Sequence, residues 1–401
     1  MSRTYVVLRS RRASSSSRTR GPNATSSAAE AVAFPAPAVT DLRVDVTDQA
    51  AAQRARNDPD FEASAPSMPL KLISPVAIET LAEPPAAPAA SVAWGIRAVG
   101  ADTSPFDGTG VVVAVLDTGI DATHPAFAGI QLIENDFTGD GNGDEDGHGT
   151  HCAGTIFGRD VSGTRIGIAR GVTKALIGKV IGRNGGASEH IISAIQWAID
   201  NGANVISMSL GIDFPGYQAR LQADGLRAEP ATSMALEGYR MNIQLFDRIA
   251  GLASALAAVR QPCLLIAATG NESGRDENPP FEIAASPPAI SEGFIAVAAL
   301  QEGSSGFRVA SFSNTGPAVA APGVGIISAR AGGGLRSLSG TSMATPHVAG
   351  VAALWAQKLK AGGAFNIRLF SNNLLASATR VSLHPSSSFD EVGAGLIRAP
   401  Q

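Results

Sequence analysis

Val111-Val112-Val113-Ala114-Val115-Leu116 is an unbroken apolar, mostly β-branched run closed by Asp117. A run this short, with no polar position to face water, predicts a strand buried on both faces, as in parallel sheets. Val205-Ile206-Ser207-Met208 and Leu264-Leu265-Ile266-Ala267-Ala268 read the same way. Around them, Glu189–Asn201 predicts an amphipathic helix, and the three- and four-residue steps of Met241, Leu245, Ile249, Leu252, Leu256 and Val259 predict another. Strands alternating with helices predict an α/β fold, a parallel sheet flanked by helices. At 401 residues, 44% of them hydrophobic, the chain can bury such a core.

Three polar residues stand out against this framework. Asp117 sits at the C-terminal end of the first strand. His148 lies in Asp146-Gly147-His148-Gly149-Thr150-His151-Cys152-Ala153-Gly154, where glycines on both sides allow close approach to the imidazole. Ser342 lies in Ser339-Gly340-Thr341-Ser342-Met343-Ala344-Thr345-Pro346, at the start of a long apolar helix. A serine hydroxyl is a weak nucleophile, and it needs a neighbouring base to attack a carbonyl.

The order Asp117, His148, Ser342, with D-T-G, H-G-T-H and G-T-S-M-A-T-P around the three, resembles the subtilisin family of serine proteases. The likeness runs from about Trp94 to Ile397, and Trp94-Gly95-Ile96-Arg97 is similar to a mature subtilisin N-terminus. It implies a three-layer sandwich with a mainly parallel central sheet over residues 91–401. It also implies a serine endopeptidase acting through an Asp-His-Ser triad and an acyl-enzyme. His148 would be the base, and Asp117 would orient it. The strand ending in Gly270-Asn271 places Asn271 as the oxyanion donor, beside the Ser342 backbone N–H. Activity is expected to rise through an apparent pKa of roughly 6–7, where a histidine base becomes neutral.

The resemblance extends to substrate. Ser209, Leu210 and Gly211 would pair with an extended polypeptide, while Ala268, Thr269 and Gly270 would form one wall of the first specificity pocket. Small residues there suggest room for a large apolar side chain, while Glu272, Asp276, Glu277 and Glu282 leave a basic preference open unless they are simply a solvated loop. From His148 to Ser342 the chain is roughly forty residues longer than the subtilisin pattern. The excess falls mainly in Ile212–Ser233, where Pro215, Gly216, Gly225 and Pro230 are expected to break structure, as a lid, a specificity loop or a plain surface insertion.

Other chemistries fit less well. A second D-T-G or D-S-G, needed for an aspartic protease, does not occur. His148 and His151 lack the H-E-x-x-H frame of a zinc peptidase, and His151 is expected to be a packed core histidine. No cofactor is expected for the chemistry. Asp140, Asn142, Asp144 and Asp146 alternate oxygen-bearing side chains, which suits either calcium as a structural ion or a solvated acidic turn, and the loop is not an EF-hand. Cys152, four residues past His148, would share its helix face, as in thiol-containing subtilisin relatives, and Cys263 reads as a small buried hydrophobe.

A net charge of −4 gives no footprint for nucleic acid, and the charge-free stretch Ser337–Gln357 contains Pro346, His347, two glycines and three serines, so it is not a membrane span. Residues 1–90 form a separate N-terminal extension. Tyr5–Leu8, Leu42–Val46 and Asp58–Ile73 suggest short strands and a helix, resembling an α+β propeptide that inhibits the cleft from within the same chain. Ser14–Ser17 with the Ala/Pro-rich stretch to Val39, and Glu83–Ala90, read as linkers. The arginines at 3, 9, 11, 12, 18 and 20 precede no apolar signal segment, so the default location is cytoplasmic, with secretion by another route left open. Two further functions stay open: an inactive subtilisin-fold peptide-binding protein, and a maturation protease of narrow specificity.

Overall fold

The computed structural model describes residues 3–13, 39–76 and 91–401. Its centre is a sheet in the order Arg308–Val309, Phe294–Gln301, Leu264–Ala268, Val205–Met208, Val112–Asp117, Lys174–Lys179 and Gln131–Asp136, with Val319–Pro322 also beside Phe294–Gln301. All these strands are parallel except Arg308–Val309.

The apolar runs bury both faces because successive side chains point to opposite sides. Val113, Val115, Leu264 and Ile266 face one core, which they share with Ile156 and Val348 from the helices His148–Phe157 and Thr341–Ala361. Ala114, Leu116, Ile206 and Leu265 face the other, with Ile192 and Ile195 of Ser188–Asp200 and Leu245 and Ile249 of Ala228–Leu256. The result is the expected three-layer α/β sandwich. Among the described residues, no helix is long and apolar enough to cross a membrane.

Residues Thr4–Arg12, Val39–Asp48 and Phe61–Pro66 form a separate antiparallel sheet, with Thr4–Arg12 in the middle. Its inner residues Val6, Leu8 and Leu42 join the second core, so this sheet rests on the outer surface of the helices Ser188–Asp200 and Ala228–Leu256. Polar contacts fix the seat. Gln196 accepts from Val44 N–H at 3.0 Å and donates to Leu42 O at 2.7 Å, and Asn242 donates to Pro66 O at 2.9 Å. Arg248 pairs with Glu62, whose side chain is almost fully buried.

Three local expectations need correction. The helix of the N-terminal segment is Gln49–Ala55, capped by Asp48, whereas Asp58–Ile73 supplies two strands, Phe61–Pro66 and Pro69–Leu72. The insertion after Ile212 is helical, Phe214–Ala223, because Pro215 occupies the first turn, where its missing N–H is harmless, and Asp213 caps it. Pro230 lies in the first turn of the next helix, Ala228–Leu256, which ends before Val259. The sequences at 14–38 and 83–90, read as linkers, lie outside the described residues, and Val39 already belongs to a strand.

Candidate active site

The strand Val112–Asp117 ends at the C-terminal edge of the sheet, where Asp117 is 1% exposed. His148 is the first residue of its helix, entered through Gly147 at φ 84°, a left-handed conformation that glycine adopts without strain. A side chain at Gly149 would meet Gly119 O at 2.2 Å, so only glycine lets the two segments close up. His148 Nδ1 then lies 2.8 Å from Asp117 Oδ1, with both residues buried. Burial alone would lower the His148 pKa, but the adjacent Asp117 carboxylate more than offsets it, and the imidazole titrates well above its ordinary range. His148 Nε2 is buried and has no hydrogen-bond partner among the described residues.

Ser342 enters the site one residue inside the N-terminus of the helix Thr341–Ala361. Its hydroxyl donates to the carbonyl oxygen of Ile73 at 2.8 Å. Cys152 links the two helices, with Sγ 3.4 Å from Ser342 O and 3.8 Å from His148 Nδ1, and burial pushes its thiol pKa up. Asn271 is aimed by the same helix end: its Oδ1 accepts from Thr341 N–H at 2.9 Å and from Thr341 Oγ1 at 2.8 Å. That leaves Nδ2 pointing at the cleft, where it donates to Ser74 O at 2.9 Å. A Cβ at Gly340 would come within 2.9 Å of this Nδ2, which explains the glycine.

The cleft is filled by the chain's own N-terminal segment. Pro69–Leu72 lies between Gly185–Ala187 and Leu210–Ile212, antiparallel to both. The register pairs Leu72 with Leu210, Lys71 with Gly211 and Leu70 with Ile212, and Ile73 N–H donates to Ser209 O at 3.3 Å. Beyond the paired residues, Val76 N–H donates to Ser339 O at 2.8 Å. Asp213, near the start of the extra length at Ile212–Ser233, donates its N–H to Pro69 O at 2.9 Å, so that segment touches the occupied cleft. A cleft of about 920 Å³ runs alongside, lined by Lys71, Leu72, Asp146, Lys179 and Tyr217 among others.

Ala268 ends the strand Leu264–Ala268, and both Ala268 and Thr269 are buried. Gly270 N–H donates to Thr341 Oγ1 at 3.2 Å, tying that wall to the serine helix. His151 is a buried core histidine whose Nε2 lies 3.0 Å from Ile326 O, and burial holds its pKa down at about 3.

The oxygen-rich loop departs from expectation. Asp144 turns inward, accepting from Gly147 N–H, Thr150 N–H, Thr150 Oγ1 and Thr118 Oγ1 at 2.6–2.8 Å. It takes up the Thr150 N–H in the first turn of the histidine helix, whose N-cap, Gly147, has no side chain to do so. Asp140 accepts from Arg183 N–H at 2.7 Å, while Asn142 and Asp146 are exposed. The three aspartates do not converge. Among the described residues, the one group of three or more His, Cys, Asp or Glu side chains close enough to share an ion is Asp117, His148 and Cys152. The loop therefore does not fit a calcium shell.

The family model for the subtilase family matches residues 108–395. Subtilisin BL of Lederbergia lenta is 34% identical over 321 residues, covering 78% of this chain and 98% of that protein. Subtilisin-like protease 1 of Trichophyton equinum is 35% identical over 296 residues, covering 69% of this chain. This chain spans 49% of the length of that relative. M-protease of Shouchella clausii is 33% identical, covering 78% of this chain and 70% of its own length. With the match spanning the sheet, the histidine helix and the serine helix, the chain belongs to the subtilase family.

Proposed function

We propose that this chain is a serine endopeptidase whose first substrate is its own Ile73–Ser74 bond. The observation that carries the reading is the 2.8 Å contact between the Ser342 hydroxyl and the Ile73 carbonyl oxygen, on a strand held in register by Leu210–Ile212. The Ser342 hydroxyl turns from the Ile73 oxygen toward His148 Nε2, the imidazole nitrogen left without a partner, and gives it the proton as Oγ bonds to the Ile73 carbonyl carbon. Asp117 holds Nδ1–H and stabilises the imidazolium. The Ile73 oxygen, now negative, takes the Asn271 Nδ2 donor in place of Ser74 O, together with the Ser342 N–H. The bond to Ser74 N breaks as His148 returns the proton to the leaving amine, and water then releases Ile73 from Ser342.

Residues 1–73 act in this reading as an inhibitory domain that blocks the cleft, with residues from Ser74 onward belonging to the peptidase. Their seat on the helices Ser188–Asp200 and Ala228–Leu256 supports it. Other polypeptides enter the same strand position once the segment leaves. A fluorophosphonate probe tests the central role: labelling of the wild type and none of Ser342→Ala is expected. Absence of wild-type labelling, with no casein cleavage, would favour an inactive peptide-binding protein instead.

A further inference from the structure

One ion pair joins the strand in the cleft to the body of the molecule. Lys71 Nζ lies 2.9 Å from Glu272 Oε1. The other carboxylate oxygen, Oε2, accepts from Asn314 Nδ2 at 2.7 Å. Asn314 is 1% exposed and is itself locked: its Oδ1 accepts from the N–H groups of Glu272 and Ser273, at 3.0 and 3.1 Å, and its Nδ2 also donates to Thr269 O. The carboxylate is thus positioned without help from Lys71. It is built into the wall of the cleft, next in sequence to Asn271.

Register decides which substrate residue meets it. Lys71 pairs with Gly211, two residues before Ile73, so the side chains of 71 and 73 leave the strand on the same face. Main-chain pairing holds any sequence equally well, and selection must come from side-chain contacts such as this one. Burial would raise the Glu272 pKa, but the bonds from Lys71 and Asn314 outweigh it and hold the carboxyl below its ordinary range, so it is ionised at neutral pH.

We propose that Glu272 is a specificity-determining residue that favours a cationic side chain, lysine or arginine, at the third residue on the N-terminal side of the cleaved bond. The inference rests on the peptidase reading above. Both partners are partly solvated, at 40% and 39% side-chain exposure, so attraction alone is worth little. An acidic residue in the same place is repelled by Glu272, and the contrast between the two signs is what the site enforces.

The test compares two peptides, Leu-Lys-Leu-Ile-Ser and Leu-Glu-Leu-Ile-Ser extended at both ends, with the processed enzyme. Wild type should cleave the lysine peptide about five- to tenfold more efficiently in kcat/KM at low salt. The ratio should shrink toward about twofold near 0.5 M salt, as screening weakens half-exposed charges. Glu272→Gln should abolish the ratio, and Glu272→Arg should invert it. A second variant guards against a folding defect in the first. Equal cleavage of both peptides by wild type, or an unchanged ratio in Glu272→Gln, overturns the inference alone. No cleavage of either peptide, with no fluorophosphonate labelling of Ser342, overturns the peptidase reading and this inference with it.

Discussion

The hydroxyl of Ser342 points at the carbonyl oxygen of Ile73, 2.8 Å away, a residue that lies 269 positions earlier in the chain. The neighbouring donor, Asn271 Nδ2, meets the next carbonyl, that of Ser74, at 2.9 Å. The Ser342 hydroxyl and the Asn271 amide thus face consecutive carbonyls of the same segment.

Asn271→Ala should lower kcat on a peptide substrate by about 10²–10³-fold with a smaller effect on KM, because the donor acts on charge that appears in the transition state. It should also lower thermal stability by about 1 kcal/mol, since Asn271 Oδ1 caps the serine helix through Thr341 N–H. Steady-state kinetics and a melting curve check the two effects separately.

The pH profile should reflect the raised His148 pKa. On the proposed reading His148 must be neutral to accept the Ser342 proton, so activity should be lost as pH falls through its folded pKa. Burial opposes the charged form, but Asp117 favours it more strongly. The acid limb of kcat/KM is therefore expected above the 6.5 of an ordinary histidine, higher than the sequence alone suggests. Asp117→Asn should cut kcat by about 10⁴-fold and move the limb to lower pH. A flat wild-type profile from about pH 5 to 9 would remove His148 as the base.

Acid should destabilise the fold through two histidines outside the chemistry. Burial lowers the pKa of His151 to about 3 and that of His347 to about 4. The unfolded chain therefore binds protons near pH 6.5 that the folded one refuses, and the stability these residues contribute is fully present above that pH. It is lost progressively as pH falls from about 6.5 toward 4. Melting temperatures of Ser342→Ala, which avoids self-digestion, should fall across that window. His347→Gln should flatten the slope.

Cys152 should make the enzyme slowly sensitive to mercurials. Its thiol is 1% exposed with a raised pKa, so reaction is slow, but a bulky mercurial on Sγ would crowd His148 at 3.8 Å. Partial loss of activity on incubation is expected for wild type and none for Cys152→Ala. Equal inhibition of both would place the reactive group elsewhere.

Much of the framework is legible in the residues because its strands are unbroken apolar runs. Val112–Asp117 and Leu264–Ala268 fall within a residue or two of where hydrophobicity puts them. The helix Phe214–Ala223 is less legible, because proline and glycine read as breakers unless their place in a first turn is known. Asp144 read as a metal ligand because an acceptor for helix N–H groups and one for a cation have the same chemistry in a sequence. Only the fold decides which donors come close. Pro69–Leu72 is the deepest case: Pro-Leu-Lys-Leu fits an edge strand anywhere, and nothing local names Leu210–Ile212 as its partner.

The central claim is that Ser342 cuts the peptide bond that follows the carbonyl its hydroxyl contacts. Intact mass and N-terminal sequencing of wild type beside Ser342→Ala test it most directly. A wild-type fragment beginning at Ser74, with Ser342→Ala left joined across Ile73–Ser74, is the expected result. Active wild type that retains residues 1–73 covalently, or the same cut in Ser342→Ala, would contradict it.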